Sequence, residues 1–264
     1  MTSHFEPGGT IAELRRALDE GEITPYFQPI FCLDDGHITG FEALARWDHP
    51  TRGLLAPERF IATADRHGIL DLLTYRVLRD SCAAAHDWPT HISLSINLAP
   101  SQLHDRWLVP RLLAILAESD FAPDRLIVDV TEEAVADNIP KARDVFAALQ
   151  KAGVRIALDD FQMNYSSLCH LQQLQFDQLK IDNRIVMAMA TVDDEKMVRA
   201  ITSFGRSLGM TVIAEGVETS NAKAALRTCG CEQAQGYLLG RPLAAHETAH
   251  LLRDMRHRPV ARLA

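Results

Sequence analysis

The chain contains no run of about 18 uncharged apolar residues, the length a membrane-spanning helix requires. Its opening residues, MTSHFEPGG, have neither the basic start nor the apolar core of a signal peptide, so a cytoplasmic location is the expectation. Cysteine is scarce: five in 264 residues, at 32, 82, 169, 229 and 231, with no C-x-x-C pair. An odd set without C-x-x-C spacing reads better as free thiols in a reducing compartment than as a disulfide framework. Cys229-Gly-Cys231 lacks the second pair that would complete a tetrahedral soft-metal site. Positive charge is also in deficit, with 27 Lys and Arg against 35 Asp and Glu and a net charge of −8. A protein that grips a DNA or RNA polymer normally carries a basic stripe, and this one does not. A small anionic ligand remains possible where bound cations supply the missing charge. No low-complexity linker divides the chain, and its length suits one α/β barrel.

What is present is a series of short apolar runs that each carry a carboxylate, an amide or a lysine within or at the end of the run. They are Phe41–Arg46, Ile92–Asn97, Leu126–Glu132, Ile156–Phe161, Gln178–Asp182 and Val212–Glu218. Greasy strands finishing on polar chemistry are the sequence signature of the catalytic end of a parallel barrel. Ile11–Glu20 reads as a helix stopped by Gly21. Tyr26–Leu33 reads as a strand, and Asp34-Asp35-Gly36 as a turn into a second strand, which must therefore pair antiparallel. Helices are expected at Pro57–His67, Asp71–His86, Trp107–Ser119, Lys141–Lys151, near Ser167–Leu171, at Val192–Leu208 with Asp193 as cap, at Asn221–Thr228 and at Ala245–Arg256. Strands are expected at His91–Asn97, Arg125–Thr131, Val154–Asp159, Gln178–Ile181, Thr211–Ala214 and Glu232–Tyr237. The fold class that follows is α/β, a modified (β/α)8 barrel whose first strand is antiparallel. Residues 1–10 read as an N-terminal extension, 11–256 as a single barrel domain, and 257–264 as a polar tail.

Strand parity sorts the candidate ligands. Glu42, Leu44 and Arg46 share one side of their strand, as do Lys180 and Asp182. Asp129 faces inward, which leaves Glu132 as a support residue beyond the strand. Asp159 and Asp160 can serve one site only where strand gives way to loop. Oxygen donors from Glu42, Asn97, Asp129, Asp159 and Asp160 suit Mg²⁺ or Mn²⁺. Each of these residues alone would read as a helix cap or a solvated group; their convergence on one barrel mouth is the signal. His246-Glu247-Thr248-Ala249-His250 has zinc-protease spacing but no third ligand, and reads as a solvated helix face. A Schiff-base aldolase on Lys180, or a Mg²⁺-dependent proton-abstracting enzyme, would use a similar mouth.

Glu42-Ala43-Leu44 with Arg46, Ser95-Ile96-Asn97-Leu98, Thr131-Glu132, Leu158-Asp159-Asp160-Phe161, Tyr165-Ser166-Ser167-Leu168, Leu179-Lys180-Ile181-Asp182 and Ala214-Glu215-Gly216-Val217-Glu218 together resemble the EAL family. Tyr26–Ile30 and Gln235-Gly236-Tyr237 add to the match, which runs from about Glu13 to Arg253. The resemblance implies a barrel that hydrolyses cyclic di-GMP to the linear dinucleotide pGpG with two Mg²⁺ or Mn²⁺ ions. It implies Glu42, Asn97, Asp129 and Asp159 on one ion and Asp159, Asp160 and Glu215 on the second. Lys180 would hold or deprotonate the attacking water, with a pKa lowered by the two cations, and Glu215 would act beside it. Gln28, Glu42, Arg46, Asp182, Glu218 and Gln235 would meet the substrate, and Glu132 would anchor the loop after Phe161. The resemblance also implies a homodimer through that loop and leaves room for a regulatory protein partner.

The chain departs from the family pattern in two places. Asp129 stands where the family carries Glu, one methylene longer. Gln162-Met163-Asn164 stands where the family carries Gly-Thr-Gly, and a non-glycine residue in a left-handed conformation costs about 1 kcal/mol or more. Weak or regulated hydrolysis is one consequence. A barrel that binds cyclic di-GMP without cleaving it, or a pure interaction module, is the other.

Overall fold

A computed structural model of the chain describes residues 10–136, 138–162, 173–189 and 191–257. In chain order its strands are β1 (Ile23–Cys32), β2 (Ile38–His49), β3 (Gly53–Leu55), β4 (Ser93–Leu98), β5 (Leu126–Thr131), β6 (Arg155–Phe161), β7 (Gln178–Ile181), β8 (Thr211–Ala214), β9 (Gln233–Ala234) and β10 (Leu243–Ala244). Eight of them close a barrel in the order β1-β2-β4-β5-β6-β7-β8-β9, with β9 returning to β1. β1 is antiparallel to both neighbours, and the pairs from β2–β4 through β8–β9 are parallel. The antiparallel first strand follows from the short turn before β2, where Gly36 takes a left-handed φ of 77°. The short strands β3 and β10 add antiparallel flaps to β2 and β1.

The parallel strands are sequestered on both faces, as β7 shows by its unbroken burial and β5 by burial of every residue before Thr131. A large apolar core fills the space between barrel and helices; there Phe27 meets Trp88 edge-on with ring centroids 5.2 Å apart. Each such buried ring contributes about 1.5–3 kcal/mol by transfer from water. A second, smaller cluster of Leu14, Ile23, Trp47, Phe60 and Leu73 sits at the carboxyl end of β2. It binds helix α1 (Ile11–Glu20) over that rim; Thr10 and Glu13 form a capping box at its start, and Gly21 ends it with φ 74°.

Several boundaries differ from the sequence expectation, each for a local reason. Pro57–His67 is split into a 3-10 turn at Pro57–Arg59 and a helix at Ile61–Arg66. The long helix Val192–Ser207 is capped by Thr191, whose hydroxyl takes the Asp194 amide while the Asp194 carboxylate returns to the Thr191 amide; Asp193 instead pairs with Lys196. Glu232–Tyr237 forms only the two-residue strand β9. There Gly236 turns the chain away at φ 155°, so close to the Val217 backbone that a Cβ would lie 2.1 Å from its nitrogen. Two short helices, Glu132–Ala136 and Asn183–Met187, carry too few residues for a periodic signal. The expected helix at Ser167–Leu171, the Tyr165–Leu168 motif, Met163 and Asn164 lie outside the described residues.

Candidate metal centre

The carboxyl ends of the parallel strands deliver one polar side chain each to the barrel mouth. Glu42 comes from β2, Asn97 from β4, Asp129 from β5, Asp159 from β6 and Lys180 from β7. Glu215 and Gln235 follow immediately after β8 and β9. Register brings the early pair into line: Gln28 stands opposite Glu42 across β1 and β2, and Asn97 opposite Asp129.

The Lys180 ammonium is the centre of the constellation. Its Nζ lies 2.8 Å from Glu215 Oε1, 3.1 Å from Asp129 Oδ2, 3.2 Å from Asp159 Oδ1 and 3.6 Å from Glu42 Oε2. Asn97 donates to Glu42 Oε1 at 2.7 Å, and Gln235 Nε2 donates to Glu42 Oε2 at 2.7 Å and to Glu215 Oε1 at 2.8 Å. Two triads of carboxylates, Glu42/Asp129/Asp159 and Asp159/Asp160/Glu215, each bring oxygens within 4.8 Å of one another. Asp159 belongs to both.

Asp160 reaches the second triad by breaking strand alternation. It adopts a left-handed φ of 53°, and the β6–β7 pairing slips between Leu158 and Phe161. A regular strand would have sent consecutive side chains to opposite faces. The cost of a left-handed aspartate, about 1 kcal/mol, is borne where function needs both oxygens on one side.

Charge in the mouth is unbalanced, one cation against four carboxylates, and the protonation preferences follow. Burial pushes Asp129 up to about 7, reinforced by the charges of Asp159 and Glu42 and only partly offset by Lys180. Burial raises Glu215 well above the carboxylate range as well, again against the pull of Lys180. For Asp160, burial and then Asp159 push in the same direction. Burial would also raise Glu42, but Lys180 and hydrogen bonds from Asn97 and Gln235 overcome it and hold it low. Burial alone would strip Lys180 of its proton; the four surrounding carboxylates outweigh that and drive its pKa well above the ordinary lysine value. The protein's own groups thus act on Lys180 opposite to the lowering expected from two neighbouring cations.

Donor chemistry tests whether a divalent ion belongs here. Asp129 Oδ1 and Gln235 Oε1 are buried without any hydrogen-bond partner, although buried polar atoms are rarely left so. The donors are hard oxygens, the set preferred by Mg²⁺ and Mn²⁺. The residues fit the ion. Beside them opens a cavity of about 520 Å³, walled by Leu44, Ile61, Leu73 and Val77 and reaching Asn97, Asp129 and Asp160. It offers an apolar slot next to a charged floor.

The remaining expected residues are placed less centrally. Gln28 is buried and donates to the Gly240 carbonyl at 3.3 Å. Arg46 lies at the rim, donating to the Ala45 carbonyl at 2.9 Å with its guanidinium over Tyr26. Glu218 is exposed beyond β8. Asp182 does not join the carboxylate cluster: β7 ends at Ile181, and the buried Asp182 carboxylate caps the helix Asn183–Met187, pairing with Arg184. Glu132 opens its own short helix and is half-buried. Gln162, marked in the sequence only as a departure, donates to Asp182 Oδ2 at 2.8 Å. Its departure from the family's glycine was the only signal that could have marked it. The decoys resolve simply. Cys229 and Cys231 are buried with thiols directed at backbone carbonyls, and His250 pairs with Asp254 on an exposed helix face.

A family model for the EAL domain matches residues 11–242. The chain is 40% identical over 231 residues to an uncharacterized signaling protein of Caulobacter vibrioides, covering 87% of this chain and 29% of that protein. It is 37% identical over 252 residues to the cyclic di-GMP phosphodiesterase NbdA of Pseudomonas aeruginosa, covering 92% of this chain and 32% of that protein. It spans about a third of the length of these two relatives. The PaMucR phosphodiesterase in its c-di-GMP complex shares the fold with a TM-score of 0.86 at 32% identity, over 90% of this chain and 98% of that one. Among the described residues, no helix is long and apolar enough to cross a membrane.

Proposed function

The chain belongs to the EAL domain family, and on that premise we propose that it hydrolyses cyclic di-GMP to pGpG in the cytoplasm, using two Mg²⁺ or Mn²⁺ ions. The observation that carries this reading is the mouth itself: three buried carboxylates and a half-buried fourth, Glu215, around Lys180, with Asp129 Oδ1 left unpaired among hard donors. Glu42, Asn97, Asp129 and Asp159 would hold one ion, and Asp159, Asp160 and Glu215 the other. Bound there, the pair supplies Lewis acidity to the phosphoryl oxygens and to the attacking water.

The chain's own residues account for the rest. Lys180, in contact with all four carboxylates, would hold the attacking water in line or take its proton, and could return a proton to the departing oxygen. Gln235 braces Glu42 and Glu215 together, so that the two ligand sets share one frame. Arg46 presents a guanidinium whose fork matches a phosphate. Gln28, Asp182 and Glu218 complete the substrate contacts, and the apolar cavity admits a base while excluding water. Glu132 supports the loop after Phe161, and a homodimer through that loop, with any regulatory partner, belongs to the same proposal; residues 163–172 lie outside the described part.

The test is direct. Purified protein is incubated with cyclic di-GMP and Mn²⁺, and the nucleotides are resolved chromatographically. The linear dinucleotide should accumulate, and should vanish with a chelator or in Glu42→Gln. A second reading, binding without turnover, is favoured by one specific observation: Gln162 ties Asp182 at 2.8 Å where the family has a flexible glycine. Nucleotide binding with no product would select it, and absence of binding would leave an interaction module.

A further inference from the structure

At the opposite rim of the barrel, the turn between β1 and β2 gathers three side chains that the hydrolytic reading does not use. Cys32, Asp35 and His37 bring a thiol sulfur, a carboxylate oxygen and an imidazole nitrogen within 4.8 Å of one another. Gln28 faces the barrel mouth four residues before Cys32 on β1, so this turn lies roughly 13 Å further along the strand. We infer that Cys32, Asp35 and His37 form a binding site for a borderline transition-metal cation, Zn²⁺ being the fitting case.

The turn already holds the donors together. The Cys32 amide donates to the His37 carbonyl at 2.9 Å, and the Gly36 amide to the Cys32 carbonyl at 3.0 Å. Asp35 Oδ1 receives the His37 amide at 3.2 Å and the imidazole Nδ1 at 2.5 Å. The nearby thiol adds a further proton that a cation can displace. Binding would release the thiol proton to solvent and leave the single proton of the neutral imidazole on Nε2, so that thiolate, Nδ1 of a neutral imidazole and carboxylate are the ligands. Asp35 and His37 are exposed and Cys32 half-buried, so a cation can enter without unfolding the turn.

Donor identity sets the selectivity. Sulfur and nitrogen donors suit Zn²⁺ and its neighbours and are poor for Mg²⁺, the reverse of the all-oxygen mouth. The two sites therefore sort ions by ligand softness. Cys32 also lines a cavity of about 450 Å³ with Phe31, Lys223 and Arg227, which leaves the fourth coordination position open to water or to an anionic group. The other thiols with described positions do not compete: Cys82, Cys229 and Cys231 are buried.

The experiment uses Co²⁺ as a spectroscopic substitute for Zn²⁺, added to the full chain under excess Mg²⁺, which keeps the oxygen-lined mouth occupied. A thiolate-to-cobalt charge-transfer band should appear at a single equivalent and should be displaced by Zn²⁺. Cys32→Ser should abolish it. His37→Ala and Asp35→Ala should each weaken Co²⁺ binding at least about tenfold, since even outer-shell partners of metal ligands cost 10–100-fold. Circular dichroism of each variant controls for folding. Three outcomes overturn the site: no band in the unaltered chain, a band that survives Cys32→Ser, or one unaffected by both His37→Ala and Asp35→Ala.

Discussion

Replacing Lys180 by Met in chelator-treated protein isolates what the lysine contributes. Met keeps much of the side-chain volume, so little cavity forms and the change is chiefly one of charge. The lysine is 2% exposed and touches four carboxylates within 3.6 Å. Removing one partner from a buried ionic group costs about 3–5 kcal/mol, because the remaining charges are left desolvated and mutually repelling. For a chain of this size each kcal/mol moves the melting midpoint by about 2–4 °C, so a fall of about 6–20 °C is expected at pH 8. Two controls follow from the same physics. Lowering the pH should close the gap, since Asp129 and Glu215, already pushed upward by burial, take up protons first. Mn²⁺ at a hundredfold over its Kd returns about 2.7 kcal/mol to any folded state it binds, and the variant, more negative in the mouth, should gain more than the unaltered chain. Thermal unfolding followed by circular dichroism, at pH 8 and pH 5.5 with EDTA or Mn²⁺, measures all of this. A variant that melts within about 2 °C of the unaltered chain in EDTA at pH 8 would refute the reasoning, since it would fall below even the lower bound.

Asp129 should leave its own signature in the pH dependence of stability. A carboxyl at about 7 in the folded state and near 4 in the unfolded chain binds more protons when folded, so its contribution is complete below about pH 4 and is lost as pH rises to about 7, up to about 4 kcal/mol. Denaturant midpoints across that window, in EDTA, should fall for the unaltered chain and stay flatter for Asp129→Asn; parallel profiles would contradict the assignment. Gln162→Gly removes the strut to Asp182 and about 1 kcal/mol of hydrogen bonding, and turnover of cyclic di-GMP should rise if that strut restrains the site. Unchanged turnover would place the restraint elsewhere. Gly236→Ala would set a Cβ 2.1 Å from the Val217 nitrogen at a φ of 155°. Chemical denaturation should show a loss of more than about 2 kcal/mol, and turnover should drop because the adjacent Gln235 braces Glu42 and Glu215.

How much of this was legible in advance differs from residue to residue. Asp129 could be read as inward because strand parity is local and the strand bearing it pairs in unbroken register with its neighbours. The barrel with its reversed first strand could be read from the short turn at Asp34-Asp35-Gly36, which leaves no length for a crossover. Asp182 could not. Parity aligned it with Lys180, but β7 ends one residue earlier, and the carboxylate turns to cap the following helix. Asp160 escaped parity too, through a single left-handed residue. The helix cap at Thr191 instead of Asp193 was a local ambiguity between neighbouring hydroxyl and carboxylate donors.

By itself, then, the sequence determined which elements form and which end of each strand carries polar chemistry, because those depend on neighbours a few positions away. Only the tertiary structure decided that Lys180 would sit among four carboxylates, that one oxygen of Asp129 would be buried without a partner, and that Gln162 would reach Asp182. Those relations join residues far apart in the chain, and they exist only once barrel closure sets the register and removes the water that would otherwise have screened them.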